Sequence, residues 1–252
     1  MSKIYDALQI AHGQRAALAK EQEDAATVVL PSLVKERNPF PFTRLYQDSE
    51  LLVLAQNIAA RLPDPEKNVI QFIGSKEGEG TSTLVRELAV TLAQQSTKPV
   101  LLIEADHIKP FQYQAFGVEA KPPLDQLLHE GNALNGVLAQ VQETNLFLAT
   151  LSSESQSSLT RRSFWGGANM WKAVRDKFSL ILIDSSPVSS TPDCLAVCGT
   201  VDGIVLVVEA EKTRAVVVHN VKEQILMNQG NLLGMVFTKR KFHVPKFLYK
   251  ML

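Results

Sequence analysis

Val69-Ile70-Gln71-Phe72-Ile73-Gly74-Ser75-Lys76-Glu77-Gly78-Glu79-Gly80-Thr81-Ser82-Thr83-Leu84-Val85 is the stretch on which the fold turns. Apolar residues at 69, 70, 72 and 73 predict a short strand, and Leu84, Val85, Leu88 and Leu92 recur at helical spacing. Between them lies a glycine-punctuated loop. Strand, loop and helix in that order resemble the phosphate loop G-x-x-x-x-G-K-[ST]. There, glycines let backbone N–H groups close around phosphate, a lysine reaches the β and γ oxygens, and a hydroxyl holds Mg²⁺. Ser75 stands at the first glycine, and Thr81 stands where the lysine belongs. A plain turn would explain the glycines alone; the apolar strand before them and Ser82-Thr83 after them favour the phosphate loop.

Working outward, 252 residues suit one α/β domain with extensions. The chain is 45% hydrophobic and 21% charged, and no apolar run approaches the roughly 18 residues of a membrane span, so an integral membrane protein is not expected. Lys239 to Leu252 holds five Lys/Arg and no Asp/Glu, so against a whole-chain charge of zero the first 238 residues carry −5. A basic tail on an acidic body points either to an anionic partner surface or to an ordinary solvated terminus, and the acidic body argues against nucleic acid. Cys194 and Cys198, four apart, are expected as buried small hydrophobes on one helix, since no Cys/His set has zinc spacing. Met1 to Lys20 has no continuous apolar core, so no secretory leader is predicted and the cytoplasm is the expected compartment.

Residues 1–40 read as a short amphipathic helix (Ile4, Ala7, Leu8, Ala11) and a proline-bearing arm. Residues 41–240 read as the main domain, opened by a helix over Glu50–Leu62, and residues 241–252 as a basic-aromatic tail. Strands are predicted at Val100–Ile103, Leu146–Leu151, Leu180–Ile183, Ile204–Val208 and Leu232–Phe237. Helical segments are predicted around Trp171–Phe178 and Thr213–Asn228. Short helical pieces are expected around Leu124, Leu127 and Leu128, and a serine-rich surface loop over Ser152–Ser158. This alternation implies an α/β fold: a doubly wound, mostly parallel sheet flanked by helices, with ligands at the carboxyl ends of its strands.

In such a sheet, the loop at Gly74–Thr83, the end at Glu104-Ala105-Asp106 and the end at Asp184 open toward one edge. A carboxylate directly after an apolar strand is the Walker B arrangement, in which Asp holds Mg²⁺ directly or through water. Asp184 takes that role, and Asp106 is a second acidic contact to metal or to the attacking hydroxyl. Each could instead cap a helix; their convergence on the loop favours the site.

Together these motifs resemble the bacterial tyrosine kinases of capsule and exopolysaccharide assembly, members of the MinD/ParA group of deviant P-loop ATPases. Ser2-Lys3-Ile4-Tyr5-Asp6-Ala7-Leu8 is similar to an N-terminal motif of one branch, Gly78–Thr83 to G-E-G-K-S-T, and Val100–Pro110 to the second acidic motif. Ile181–Pro187 is similar to I-I-D-S-P-P, and Val201-Asp202-Gly203 to the V-D-G strand start. The resemblance implies a P-loop NTPase fold that binds ATP or ADP with Mg²⁺. Lys76, Gly78, Glu79, Gly80, Thr81, Ser82, Thr83 and Lys239 would line the nucleotide. Ser82, Asp106 and Asp184 would hold the metal, and Asp106, Asp184 and Glu104 would serve catalysis. It also implies a membrane-embedded polysaccharide co-polymerase as partner and the capacity to form homo-oligomers, although the ring-forming E-x-x-R-x-x-R pattern is not evident near Glu50.

Four departures qualify the expected activity: Thr81 for the loop lysine, Glu104 for the first aspartate, Thr238 for an adenine-binding asparagine, and a tail without a tyrosine cluster, where Tyr249 stands alone. A charge-assisted contact to phosphate is worth about 1.5–3 kcal/mol, so binding can survive its loss. Removing a donor aimed at developing charge costs about 10²–10³ in rate, so transfer should suffer more. Lys76 occupies the position of the group's signature lysine, which reaches a nucleotide across a dimer interface, or is simply solvent-exposed. Three outputs follow: an attenuated or inactive kinase-like nucleotide-binding regulator, an active tyrosine autokinase, or a positioning ATPase that reaches the membrane by its tail.

Overall fold

The computed structural model describes residues 41–124, 134–151 and 168–240. The predicted N-terminal helix, most of the arm, Leu127 and Leu128, the serine-rich loop and the tail from 241, with Tyr249, lie outside them.

Seven strands form one sheet: β1 (Val69–Gly74), β2 (Val100–Ala105), β3 (Ala139–Gln140), β4 (Leu146–Thr150), β5 (Leu180–Ser185), β6 (Gly203–Glu209) and β7 (Leu232–Thr238). Their order is β3-β4-β2-β5-β1-β6-β7, and every pair is parallel except β3 with β4. The helices are α1 (Asp48–Arg61), α2 (Thr81–Gln95), α3 (Gln112–Phe116), α4 (Ala168–Arg175), α5 (Asp193–Ala196) and α6 (Ala215–Met227). All six residues of β1 and of β2 are buried, which explains why they read as apolar runs rather than alternating strands.

Helices cover both faces. Ile73, Ile103, Ile183 and Leu206 pack with Trp171 and Val174 of α4 and Val221 and Ile225 of α6. On the other face Phe72, Leu102, Leu182 and Val205 meet Leu84 and Leu88 of α2 and Leu51 and Ile58 of α1. The doubly wound parallel sheet is therefore as expected. Among the described residues no helix is long and apolar enough to cross a membrane.

Two local expectations change. The segment 110–140 holds α3, a 3-10 turn at Leu134–Gly136 and the edge strand β3, too short for any periodicity to announce. Leu124 is helical, as expected, and buried in the core. The helix carrying Cys194 ends at Ala196, so Cys198 lies beyond it, although both thiols are buried.

At the amino ends of the strands, Asp202 of the Val-Asp-Gly stretch ties three elements together. Its carboxylate accepts the Val69 N–H at 2.9 Å and pairs with the Arg175 guanidinium at 2.5 and 3.0 Å. Asn68 donates to the carbonyls of Arg175 and Phe178, and Asn231 to that of Asp202. This knot aligns β1 with β6 and holds α4 beneath β5, setting the register on which the opposite edge depends. Asp202→Ala should lower the free energy of unfolding by about 2–3 kcal/mol in urea titration, because it strands a charge and a backbone N–H at once.

Candidate functional site

β1 stops at Gly74 and α2 begins at Thr81, leaving a tight loop at the carboxyl edge of the sheet. Gly78 (φ 81°) and Gly80 (φ 89°) adopt left-handed backbone that a side chain would strain, and Gly80 is the N-cap of α2. The first backbone N–H groups of that helix have no intrahelical carbonyl, and its first turn carries no acidic residue, an arrangement suited to an anion. Thr81 turns its hydroxyl back onto the strand end: a Cβ on Gly74 would lie 2.7 Å from Thr81 Oγ1. A short hydroxyl packed this way cannot do the work of an extended ammonium.

Glu79 is buried and stabilises the loop from within. Its carboxylate accepts the N–H groups of Ser75 (2.6 Å) and Lys76 (3.0 Å), the Ser75 hydroxyl (2.7 Å) and the Thr213 hydroxyl (2.6 Å). The amides taken by Glu79 precede both left-handed glycines, so the start of α2 is left for a ligand. From the end of β7, Thr238 Oγ1 donates to the Glu79 carbonyl and Lys239 Nζ to the Gly78 carbonyl. Lys239 is thus tied to the loop backbone. Lys76 is exposed at the rim, and the neighbouring Glu77 pairs with Lys109.

β5 pairs with both β1 and β2, and its register sets Asp184 level with Phe72 on one side and Glu104 on the other. Asp184 is 1% exposed; Oδ1 accepts the Ser82 hydroxyl at 3.1 Å and Oδ2 the Gln112 amide at 2.7 Å. The predicted magnesium hydroxyl and Walker B carboxylate therefore meet. Asp106 Oδ1 accepts from Ser186 Oγ (2.7 Å) and from the amides of Ile108 (3.0 Å) and Lys109 (3.1 Å), which shape the loop after β2. Glu104 is buried and turned to the start of α3, where Oε1 accepts the N–H groups of Phe111 and Gln112. In this arrangement it anchors the helix that delivers Gln112 to Asp184. Thr83 is half-buried in the first turn of α2.

Sequence reasoning missed Gln112, Arg86 and Thr213. Gln112 also donates to the Ser82 carbonyl (3.0 Å), and its own carbonyl receives Arg86 Nη1 at 3.5 Å. The Arg86 guanidinium stacks 5.0 Å from the Phe42 ring and 5.7 Å from the Phe111 ring. The available signal was weak: a polar residue between Phe111 and Tyr113, two positions after Pro110, and an arginine among the apolar residues of α2.

Burial dominates the electrostatics. It pushes Asp184 up to about 7, opposed by the Gln112 and Ser82 hydrogen bonds and reinforced by the charges of Glu104 and Asp106. Burial also raises Glu104, against the pull of the Gln112 and Phe111 amides, and lowers Arg86, against the charges of Asp184 and Glu87. A carboxyl whose folded value is raised contributes stability that is complete below its unfolded value and is lost as pH rises through about 7. Without ligand, Asp184→Asn should therefore gain on the wild type as pH rises. The difference in Tm should widen by roughly 4 °C or more between pH 4.5 and 8 in calorimetry.

No family model matches the chain. The tyrosine-protein kinase YwqD of Bacillus subtilis is 27% identical over 186 residues, covering 73% of this chain and 78% of that protein. The tyrosine-protein kinase CpsD of Streptococcus agalactiae is 27% identical over 179 residues, covering 69% and 76%. Among solved structures, the kinase domain of the Escherichia coli tyrosine kinase ETK superposes with a TM-score of 0.65 at 20% identity, covering 79% of each chain. The septum site-determining protein MinD of Pyrococcus horikoshii, complexed with Mg-ADP, gives 0.55 at 16%, covering 73% and 76%. The sequence matches span two thirds or more of both partners, and the solved neighbours share the fold. The chain is therefore similar in sequence to bacterial tyrosine-protein kinases, and it shares the fold of their kinase domains and of MinD.

Proposed function

We propose that the chain is a cytoplasmic ATP- or ADP-binding, kinase-like protein whose phosphoryl transfer is attenuated or absent. In this reading it regulates exopolysaccharide or capsule assembly through a membrane-embedded co-polymerase. The observation that carries the reading is the pairing of Ser82 with Asp184 beneath an open helix N-terminus whose lysine position holds Thr81, folded back on Gly74. Binding elements are kept while the charge-neutralising arm is missing. The polysaccharide setting and the partner rest on the family resemblance.

The donors fit a nucleotide-bound Mg²⁺. That ion uses one or two protein oxygens with phosphates and waters, and Ser82 Oγ and the buried Asp184 are two adjacent oxygens close to the charges of Glu104 and Asp106. When bound, the metal would neutralise phosphate charge. Gly80, Thr81 and Ser82 would present N–H groups to phosphate, Asp106 would orient a hydroxyl or water near the metal side, and Gln112 would hold the Asp184 carboxylate in place. Lys239, Lys109 and Glu77 frame the rim.

The alternative, an active tyrosine autokinase, draws support from Lys76, whose exposed side chain stands at the loop where a second subunit could be met.

Titration of wild type and Thr81→Lys with Mg-ADP separates these readings. Measurable wild-type binding, tightened about 10-fold or more by the lysine, is expected from a contact worth about 1.5–3 kcal/mol. Labelled phosphate transferred from ATP to tyrosine by the wild type, and lost in Asp184→Asn, would favour the autokinase. Absence of binding at millimolar nucleotide would remove both.

A further inference from the structure

One edge of the sheet ends in the two-residue β3, the other in the seven-residue β7. Among the described residues β7 pairs only with β6, so its outer row of N–H and C=O groups faces away from the sheet. Beside it runs a groove of about 740 Å³ between β7 and α1, with Val53, Leu54 and Ile58 on one wall and Leu233, Met235 and Phe237 on the other. The polar Glu50, Asn57 and Arg61 of α1 also line it. Its apolar lining is open: Val53 is 54%, Met235 46% and Phe237 59% exposed. A long apolar edge next to an apolar trough is a feature that stable proteins cover.

Three observations select the cover. Arg240, the last described residue, itself lines the groove, so the chain arrives there. Lys239 has φ 52°, a left-handed conformation that a non-glycine residue adopts mainly at turns, and it bends the backbone out of the line of β7 directly after Thr238. The twelve residues 241–252 bring Phe242, Val244, Phe247, Leu248, Met251 and Leu252. At about 3.3 Å per residue they reach roughly 40 Å, well beyond the roughly 23 Å of β7. Pro245, which lacks an N–H, suits an outermost strand.

We propose that residues 241–252 fold back along the outer edge of β7 and fill this groove, setting their aromatic and aliphatic side chains against Val53, Met235 and Phe237. The tether favours this occupant over a second copy of the chain. A segment joined directly to the rim acts at an effective concentration of order millimolar, and it forgoes the rotational and translational cost that a separate molecule bears. The cations Lys241, Lys246 and Lys250 would remain toward solvent.

Hydrogen exchange resolved over residues 234–237 tests the proposal on three proteins: the full chain, a chain ended at Arg240, and full-length Phe247→Asp. Exchange at least about 10-fold slower in the full chain than in either variant, and unchanged on hundredfold dilution, is expected of a groove filled in cis. Amides of β1 and β5 serve as the folding control, and the point variant keeps the test decisive if the shortened chain does not fold. Equal rates in all three proteins would overturn the proposal. So would protection that fades on dilution together with a dimer mass in sedimentation, which would assign the groove to a second copy.

Discussion

A carboxylate with almost no exposed surface is the constraint around which the rest is arranged. Asp184 sits at the end of β5, between β1 and β2, where burial opposes its charge. It is tolerable only because two donors from different helices reach it: Ser82 from the first turn of α2 and Gln112 from the first turn of α3. Each donor is itself positioned. Ser82 depends on the left-handed Gly80 that starts α2, and Gln112 on Glu104, whose carboxylate gathers the first amides of α3. The strand order β2-β5-β1 puts the second acidic motif, the Walker B end and the loop side by side.

The same arrangement explains why the missing lysine does not unmake the site. In a phosphate loop the lysine neutralises ligand charge and is not part of the backbone scaffold. Here the scaffold is carried by Glu79 inside the loop, Thr213 beside it, and Thr238 and Lys239 strapping it from β7. The loop geometry thus persists with Thr81 at the lysine position. Burial raises the Asp184 carboxyl, and in the proposed reading a cation arriving with a nucleotide would favour its charged form and offset the cost of that burial.

Much of this was legible in advance. Strands buried on both faces must be apolar throughout, so β2, β5 and β6 announced themselves, and the alternation with helices made the parallel sheet the natural solution. The left-handed loop glycines and the acids at the strand ends were legible because residue type and position mark them in the sequence. β3 was not, since two residues in an edge strand carry no period. Nor was the position of Glu104, because the same residue after a strand can face a ligand or anchor a helix, and only the path of residues 106–112 decides. Gln112 could not be singled out, because an amide has no distinctive local pattern and acquires its role from a carboxylate 72 positions away.

By itself, the sequence determined the fold class, the acidic strand ends that meet the glycine loop at one edge, and the threonine at position 81, because hydrophobic periodicity and residue type act locally along the chain. The tertiary structure alone decided which donors satisfy Asp184, what holds the loop closed, and that the outer edge of β7 lies open beside α1. Those outcomes depend on strand order and register, which bring residues together across separations that no local pattern encodes.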